Sequence, residues 1–378
     1  MGANYIALAV PFFFLLIAAE LLFAAHLKRR VYRFADAIAD LGCGITQRVT
    51  LLFFESALVF VYVALFQHAR LVDLSRHPVF TWVFAFVAVD FIYYWWHRAS
   101  HRVNVLWAAH VVHHQSEDFN LAVALRQSIL TPITSLPFAL PLAVLGVPPL
   151  VWGTCSAINT LYQFWIHTEV IGTLGPFEAV MNTPSHHRVH HARNPRYLDR
   201  NYAAVFIVWD RWFGTFAPEK EKPEYGITKP LRSFNALWAQ VQPLAVLAAL
   251  ARTAPRLRDR LAVWFAPPER VFAWESDAKI DAEVVQPGEL YDVRASRGLR
   301  AYVVVNFALA VVGTTALMFV ASRLSFGVLT VGAILVLTTV FTAGGLLESK
   351  RWARPLELGR VASVAGFCVW LGVSSGVF

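Results

Sequence analysis

The chain has 378 residues, 57% of them hydrophobic and 15% charged, with a mean hydropathy of +0.50. That usage excludes an ordinary soluble domain and identifies an integral membrane protein. The net charge of +8 is no sign of nucleic-acid binding, because Lys and Arg flank apolar runs and form no basic and aromatic module. Cys43, Cys155 and Cys368 are far apart with no CxxC pair, which excludes a disulfide framework and a thiolate metal site.

In chain order, residues 5–23 are apolar, with no basic residue before them and Lys28, Arg29, Arg30 and Arg33 after them. This reverses the charge order of a secretory signal and predicts a retained first span. Residues 49–65 and 80–96 are the next expected spans, near the roughly 20 residues a bilayer requires. The apolar stretch 129–166 is broken at Gly146-Val147-Pro148-Pro149 and predicts a helical hairpin. If Lys28 to Arg33 are cytoplasmic, His97 emerges on that side and the hairpin returns His167 to it. Residues 168–235 carry Pro184, Pro195, Pro218 and Pro223 and no spanning run, as a cytoplasmic cap would. Residues 237–250 are short for a crossing and predict an interfacial helix, and 252–300 are polar again. The runs 301–321, 326–347 and 358–378 close the chain as spans. The expected organisation is N-terminal transmembrane helices (1–78), a histidine-bearing catalytic core (79–235), an interfacial and cytoplasmic segment (236–300) and C-terminal transmembrane helices (301–378). The fold class is all-α: a transmembrane helix bundle with a cytoplasmic, histidine-rich di-metal cap.

Ten of the 13 histidines fall between residues 97 and 191. They form the groups His97-x3-His101, His110-x2-His113-His114 and His187-x2-His190-His191, with His167 and His186 alongside. Residues three and four apart share a helix face, so each group aims two or three imidazoles at one point. Buried unpaired imidazole is costly, and three such groups on separate segments suit two metal ions better than ordinary packing. Nine residues separate His101 from His110, about half a turn out of phase, so the chain must bend near Val103-Asn104 for both groups to converge. Nitrogen ligands alone leave zinc, iron and copper open. A bis-histidine haem of a membrane electron-transfer protein needs one histidine from each of two helices and leaves most of these without a purpose.

Asp90 lies inside the third expected span, seven residues before His97 and roughly on its face. An acid at that depth suits the orientation of a ligand imidazole, or a pairing with a hydroxyl or backbone group. Glu169, with Glu117, Asp118, Arg126 and Gln127, is a further candidate for orienting ligands or lining the entrance. Trp95, Trp96, Trp107, Trp165, Trp209 and Trp212 fit an interfacial belt, and His26, His68 and His77 mark membrane interfaces.

The order HRASH, HVVHH and HHRVHH resembles the fatty acid hydroxylase and sterol desaturase superfamily of membrane non-haem di-iron oxygenases. The runs NVLWAAHVVHHQSEDFNLAVALRQS, YQFWIHTEVIGTLGPFEAVMNTPSHHRVHH and NYAAVFIVWDRWFGTF are most similar to its alkylglycerol monooxygenase branch, most densely over residues 80–230. The resemblance implies two irons held by His97, His101, His110, His113, His114, His187, His190 and His191, with His167 as a further ligand. It also implies a lipid substrate from the bilayer, O2, and tetrahydrobiopterin or another reductant as electron donor. The expected reaction is hydroxylation of an ether-bearing carbon, which collapses to an aldehyde and a glycerol product. A fatty acyl, sterol or carotenoid hydroxylase or desaturase on the same scaffold is the alternative. One departure is Arg102, which follows the first histidine group where that branch carries an acid. Ala- and Arg-rich usage and an ending without an ER-retention signal give a bacterial inner membrane as the expected location, with the active site facing the cytoplasm.

Overall fold

Proline and glycine punctuate the chain where its apolar runs change direction, and the helices follow that punctuation. A computed structural model describes residues 5–275 and 289–374. Its α-helices are α1 (Tyr5–His26), α2 (Phe34–Leu51), α3 (Glu55–Ala69), α4 (Pro78–Arg102), α5 (Asn104–His114), α6 (Thr131–Val144) and α7 (Pro149–Trp165). These are followed by α8 (Pro184–His191), α9 (Val208–Trp212), α10 (Ala236–Thr253), α11 (Leu257–Phe265), α12 (Arg297–Val320), α13 (Phe326–Leu347) and α14 (Ala353–Ser374). No β-sheet forms among the described residues. Extended pairing is confined to two bridges, Met181 with Phe206 and Ala192 with Tyr225.

Four helices, α1, α4, α12 and α13, are long and apolar enough to cross a membrane. Leu15, Leu22, Val83, Leu309 and Val312 on them remain largely exposed, as side chains facing lipid do. The chain is an integral membrane protein. Residues 49–65 depart from expectation, because α2 ends at Leu51 and α3 starts at Glu55, the pair being bent by 61°. α2 is the more polar member of the pair. Asp36, Asp40 and Gln47 are buried with Ile38, Cys43 and Val49, and a stripe with such polar partners belongs inside the protein, not in lipid.

The hairpin over 129–166 forms, but its first arm, α6, has 14 residues with Pro137 and Pro141 inside, and neither arm is among the four candidate spans. Its turn depends on Gly146, at φ +87°, where an added Cβ would lie 1.9 Å from the Val72 carbonyl oxygen. The expected interfacial helix is α10, capped by the Asn235 side chain and outside the four candidate spans. The last expected span differs as well. α14 starts earlier, at Ala353, brings Glu357 and Arg360 into the helix, and is not among the four. Residues 276–288 of the second polar segment and 375–378 of the last run lie outside the described residues.

Two cores hold the histidine-bearing segments. Ile38, Cys43 and Val49 of α2 pack with Ala236, Phe307 and Val340 of α10, α12 and α13, while Tyr62, Val89, Leu142 and Cys155 join α3, α4, α6 and α7. The tight Gly146 turn gives a direct check. Gly146→Ala combines a left-handed backbone with a clash against Val72, so it is expected to cost at least about 2 kcal/mol. The apparent melting temperature of detergent-solubilised protein should fall by several degrees, measured by thermostability with size-exclusion readout.

Candidate metal centre

Four segments converge just beyond the end of α4. The last turns of α4 carry His97 and His101. Val103, in extended conformation (φ −131°, ψ 119°), ends α4 and caps α5, so the break falls where the phase of the two histidine groups requires it. α5 then presents His110, His113 and His114. His167 follows the end of α7, and α8 is one eight-residue helix, opened by Pro184 and buried throughout, that carries His186, His187, His190 and His191.

Nine imidazoles fall into two sets. His97, His101, His110, His114 and His190 each offer a ring nitrogen within 4.8 Å of the others, and His113, His167, His187 and His191 do the same. All nine are buried. The sets abut, since the rings of His114 and His191 stack with centroids 4.4 Å apart.

Backbone carbonyls fix the tautomers. Nδ1 of His97 donates to Tyr202 O at 2.6 Å, His113 to Arg126 O at 2.9 Å, His167 to Gln163 O at 2.7 Å and His190 to Arg200 O at 2.9 Å. A carbonyl only accepts, so each Nδ1 carries the hydrogen and each neutral ring points an Nε2 lone pair inward. Nε2 of His113 and Nε2 of His167 are 3.2 Å apart, lone pair against lone pair. Burial pushes His113 down to about 4 and His167 well below the usual imidazole range, so neither ring carries the extra proton that would relieve this contact at neutral pH. Four further ring nitrogens, Nε2 of His97, His101, His190 and His191, are buried without a hydrogen-bond partner. A cation relieves all of this at once. Contacts of 3.0–3.2 Å between Nε2 atoms also equal the spacing of adjacent ligands at about 2.1 Å from one ion. The residues present fit metal.

The carbonyls are themselves held by buried polar groups. Asp90 contacts no imidazole. It accepts from Val205 N (2.8 Å), Phe206 N (3.1 Å), Trp209 Nε1 (2.8 Å) and Asn159 Nδ2 (2.8 Å), which is the backbone pairing expected as the alternative to orienting a ligand ring, and which anchors the 201–209 segment. Asp210, unremarked in the sequence, accepts from Tyr202 N and Ala203 N and fixes the same segment from its other end. Arg126 is buried and donates to Asp40, Gln115 and Val112 O, which fixes the carbonyl that meets His113.

Other expectations resolve differently. Glu169 belongs to neither set; it lines a separate polar crevice of about 760 Å³ with Arg30, Arg188 and Lys222. Glu117 and Asp118 hold Arg33, Asp118 at 2.9 Å. His186 is outside both sets, near Glu178 and Phe216. Arg102 faces outward to Asp199 and Glu269. Trp96 and Trp209 are buried beside the site and are no part of a belt, whereas Trp212 is exposed. Gln127 lines a cavity of about 330 Å³ that reaches His110, His113 and His167 between α1, α2, α4, α7 and α12. These backbone contacts have no signal in the sequence, because a carbonyl is common to every residue.

Comparison with known proteins agrees with this geometry. Residues 82–215 match the fatty acid hydroxylase family. Over 361 residues the chain is 38% identical to alkylglycerol monooxygenase of Homo sapiens, covering 94% of this chain and 80% of that one. It is 35% identical over 372 residues to the protein of the same name from Danio rerio, with the same coverages. The chain belongs to the alkylglycerol monooxygenase family. A more distant relative, the ornithine lipid hydroxylase of Rhizobium tropici, is 29% identical over 44% of this chain and 54% of its own length. No solved structure matches. As a member of this family the chain is an oxidoreductase, and the haem alternative is not favoured.

Asp90→Ala would leave four buried donors unpaired, a cost of about 3 kcal/mol or more. Hydrogen–deuterium exchange of the 201–209 amides should quicken in that variant, with exchange in α13 unchanged.

Proposed function

We propose that the chain is a di-iron monooxygenase that hydroxylates an alkyl carbon of an ether lipid, alkylglycerol being the favoured class. One iron would be held by His97, His101, His110, His114 and His190 and the other by His113, His167, His187 and His191. The observation that carries this reading is the buried pair of facing lone pairs on His113 and His167, within nine converging imidazoles. Iron is preferred to zinc because family chemistry consumes O2, which needs a redox metal. Bound irons would supply the reduction of O2 and the oxidising power for the C–H bond.

The chain's residues supply the rest. Phe13, Phe14, Ile45, Phe164 and Met318 line an apolar path from candidate spans to the histidines, which supports entry of lipid from the bilayer and keeps bulk water from the reacting carbon. Carbonyls of Tyr202, Arg126, Gln163 and Arg200 hold the imidazoles in one orientation through each turnover. The balanced reaction takes R–CH2–O–R′, O2, two electrons and two protons to R–CH(OH)–O–R′ and water. The hemiacetal then breaks its C–O bond to give an aldehyde and a free glycerol hydroxyl. Tetrahydrobiopterin or another reductant supplies the electrons. The basic residues after α1 support a cytoplasmic histidine face, and we assign the chain to a bacterial inner membrane on composition.

The test is purified protein supplied with iron, a reductant and 1-O-hexadecylglycerol under 18O2, with the aldehyde trapped at once by reduction. Labelled hexadecanol is the expected product. Hexadecanol without label, or an alkyl chain hydroxylated away from the ether carbon, would contradict the reading. Among variants, His113→Ala should lose at least one of about two irons per chain and nearly all turnover, whereas His186→Ala should retain both irons, as measured by elemental analysis.

A further inference from the structure

Among the described residues, Arg48 is the one Lys or Arg on the wall of the cavity that reaches His110, His113 and His167, and no Asp or Glu shares that wall. Among the described residues no hydrogen bond or ion pair engages its guanidinium. Glu55, exposed beyond the bend that ends α2, attracts it from outside ion-pair distance. Every other buried or half-buried arginine discussed above is saturated: Arg33 by Asp36 and Asp118, Arg126 by Asp40, and Arg360 by Glu357.

The depth of Arg48 makes the lack of a partner significant. α2 runs along α13 from Gly42, which abuts Val340, to Phe53, whose ring lies 5.9 Å from that of Phe326. Arg48 falls between those levels, beside the interior of a candidate span and away from its ends. A cation there is costly unless it meets an opposite charge, and ionisable groups at membrane depth face a partner or a pathway. Snorkelling to the membrane surface would relieve it, but Arg48 is half-buried and forms part of the cavity wall.

We propose that Arg48 binds an anionic group, phosphate or carboxylate, on the lipid substrate. This deepens the proposed hydroxylation and rests on it for the identity of the occupant as a lipid. The planar guanidinium grips two oxygens of such a group at once, which a lysine cannot do. Because one small cavity touches both Arg48 and the histidines, fixing the head at Arg48 fixes which carbon meets the oxidant, namely one near the head of the chain. Within the alkylglycerol class the favoured substrate is therefore a single-chain member whose head carries an anionic group, bound ahead of the neutral alkylglycerol.

Equilibrium binding of hexadecyl phosphate and hexadecanol to detergent-purified protein tests this without metal or turnover. Wild type should bind the phosphate about tenfold more tightly than the alcohol, the scale of a charge-assisted pair. Arg48→Gln should abolish that preference, weakening the phosphate far more than the alcohol, and Arg48→Lys should keep part of it. Equal affinities in wild type, or an unchanged preference in Arg48→Gln, would overturn the proposal. Wild-type selectivity decides the matter even if Arg48→Gln does not fold. The same anionic chemistry could come from a bilayer lipid. If phosphatidylglycerol in phosphatidylcholine nanodiscs displaces hexadecyl phosphate, the group belongs to the bilayer and the substrate assignment fails; no displacement is expected. Iron content and labelled product are measured separately, so failure of this proposal and failure of the proposed reaction are distinguishable.

Discussion

The hydrogen bond from an imidazole Nδ1 to a backbone carbonyl is the constraint on which the rest of the site depends. It is made four times, by His97, His113, His167 and His190. Each bond sets the tautomer, and the tautomer sets where the lone pair points. The consequence is a buried cluster of nitrogens with no protein donors to satisfy them. In a low-dielectric interior such a cluster is unstable by itself and strongly favourable around cations.

Much of the remaining polar structure serves to hold those carbonyls still. Asp90 and Asp210 pin the 201–209 segment from opposite ends, and the buried pair of Arg126 with Asp40, 3.1 Å apart, does the same for the Arg126 carbonyl. The apolar packing acts at longer range. α2 is wedged among α10, α12 and α13, and α4 among α3, α6 and α7, so that α4, α5, α7 and α8 end at the same place. Lipid-facing helices on the outside and the paired charges around Asp36 and Asp40 of α2 are two solutions to one problem, the cost of burying polar groups away from water.

The histidines were legible in the sequence because ligand spacing is a local, periodic signal. The i, i+3 and i, i+4 groups and the half-turn phase error before His110 foretold the break at Val103 and the residues that converge. The two-set division was not legible, since His190 joins the set of His97 while its neighbour His191 joins that of His113. Adjacent helical residues point about 100° apart, and which ion each serves depends on tertiary placement. Asp90 was legible as a buried acid but not by its particular partners, the amides of Val205 and Phe206 and the side chains of Asn159 and Trp209, which tertiary placement brings to it. The run 49–65 was legible as apolar, but the 61° bend between α2 and α3 inside it was not, because hydropathy averages over the break.

The most direct test of the account is Mössbauer spectroscopy of wild-type protein loaded with 57Fe in detergent. Two abutting sets of imidazoles predict an iron pair with exchange-coupled, diamagnetic ground-state behaviour in the oxidised form. Isolated high-spin ferric ions with magnetic splitting, or protein that takes up zinc and excludes iron, would contradict it.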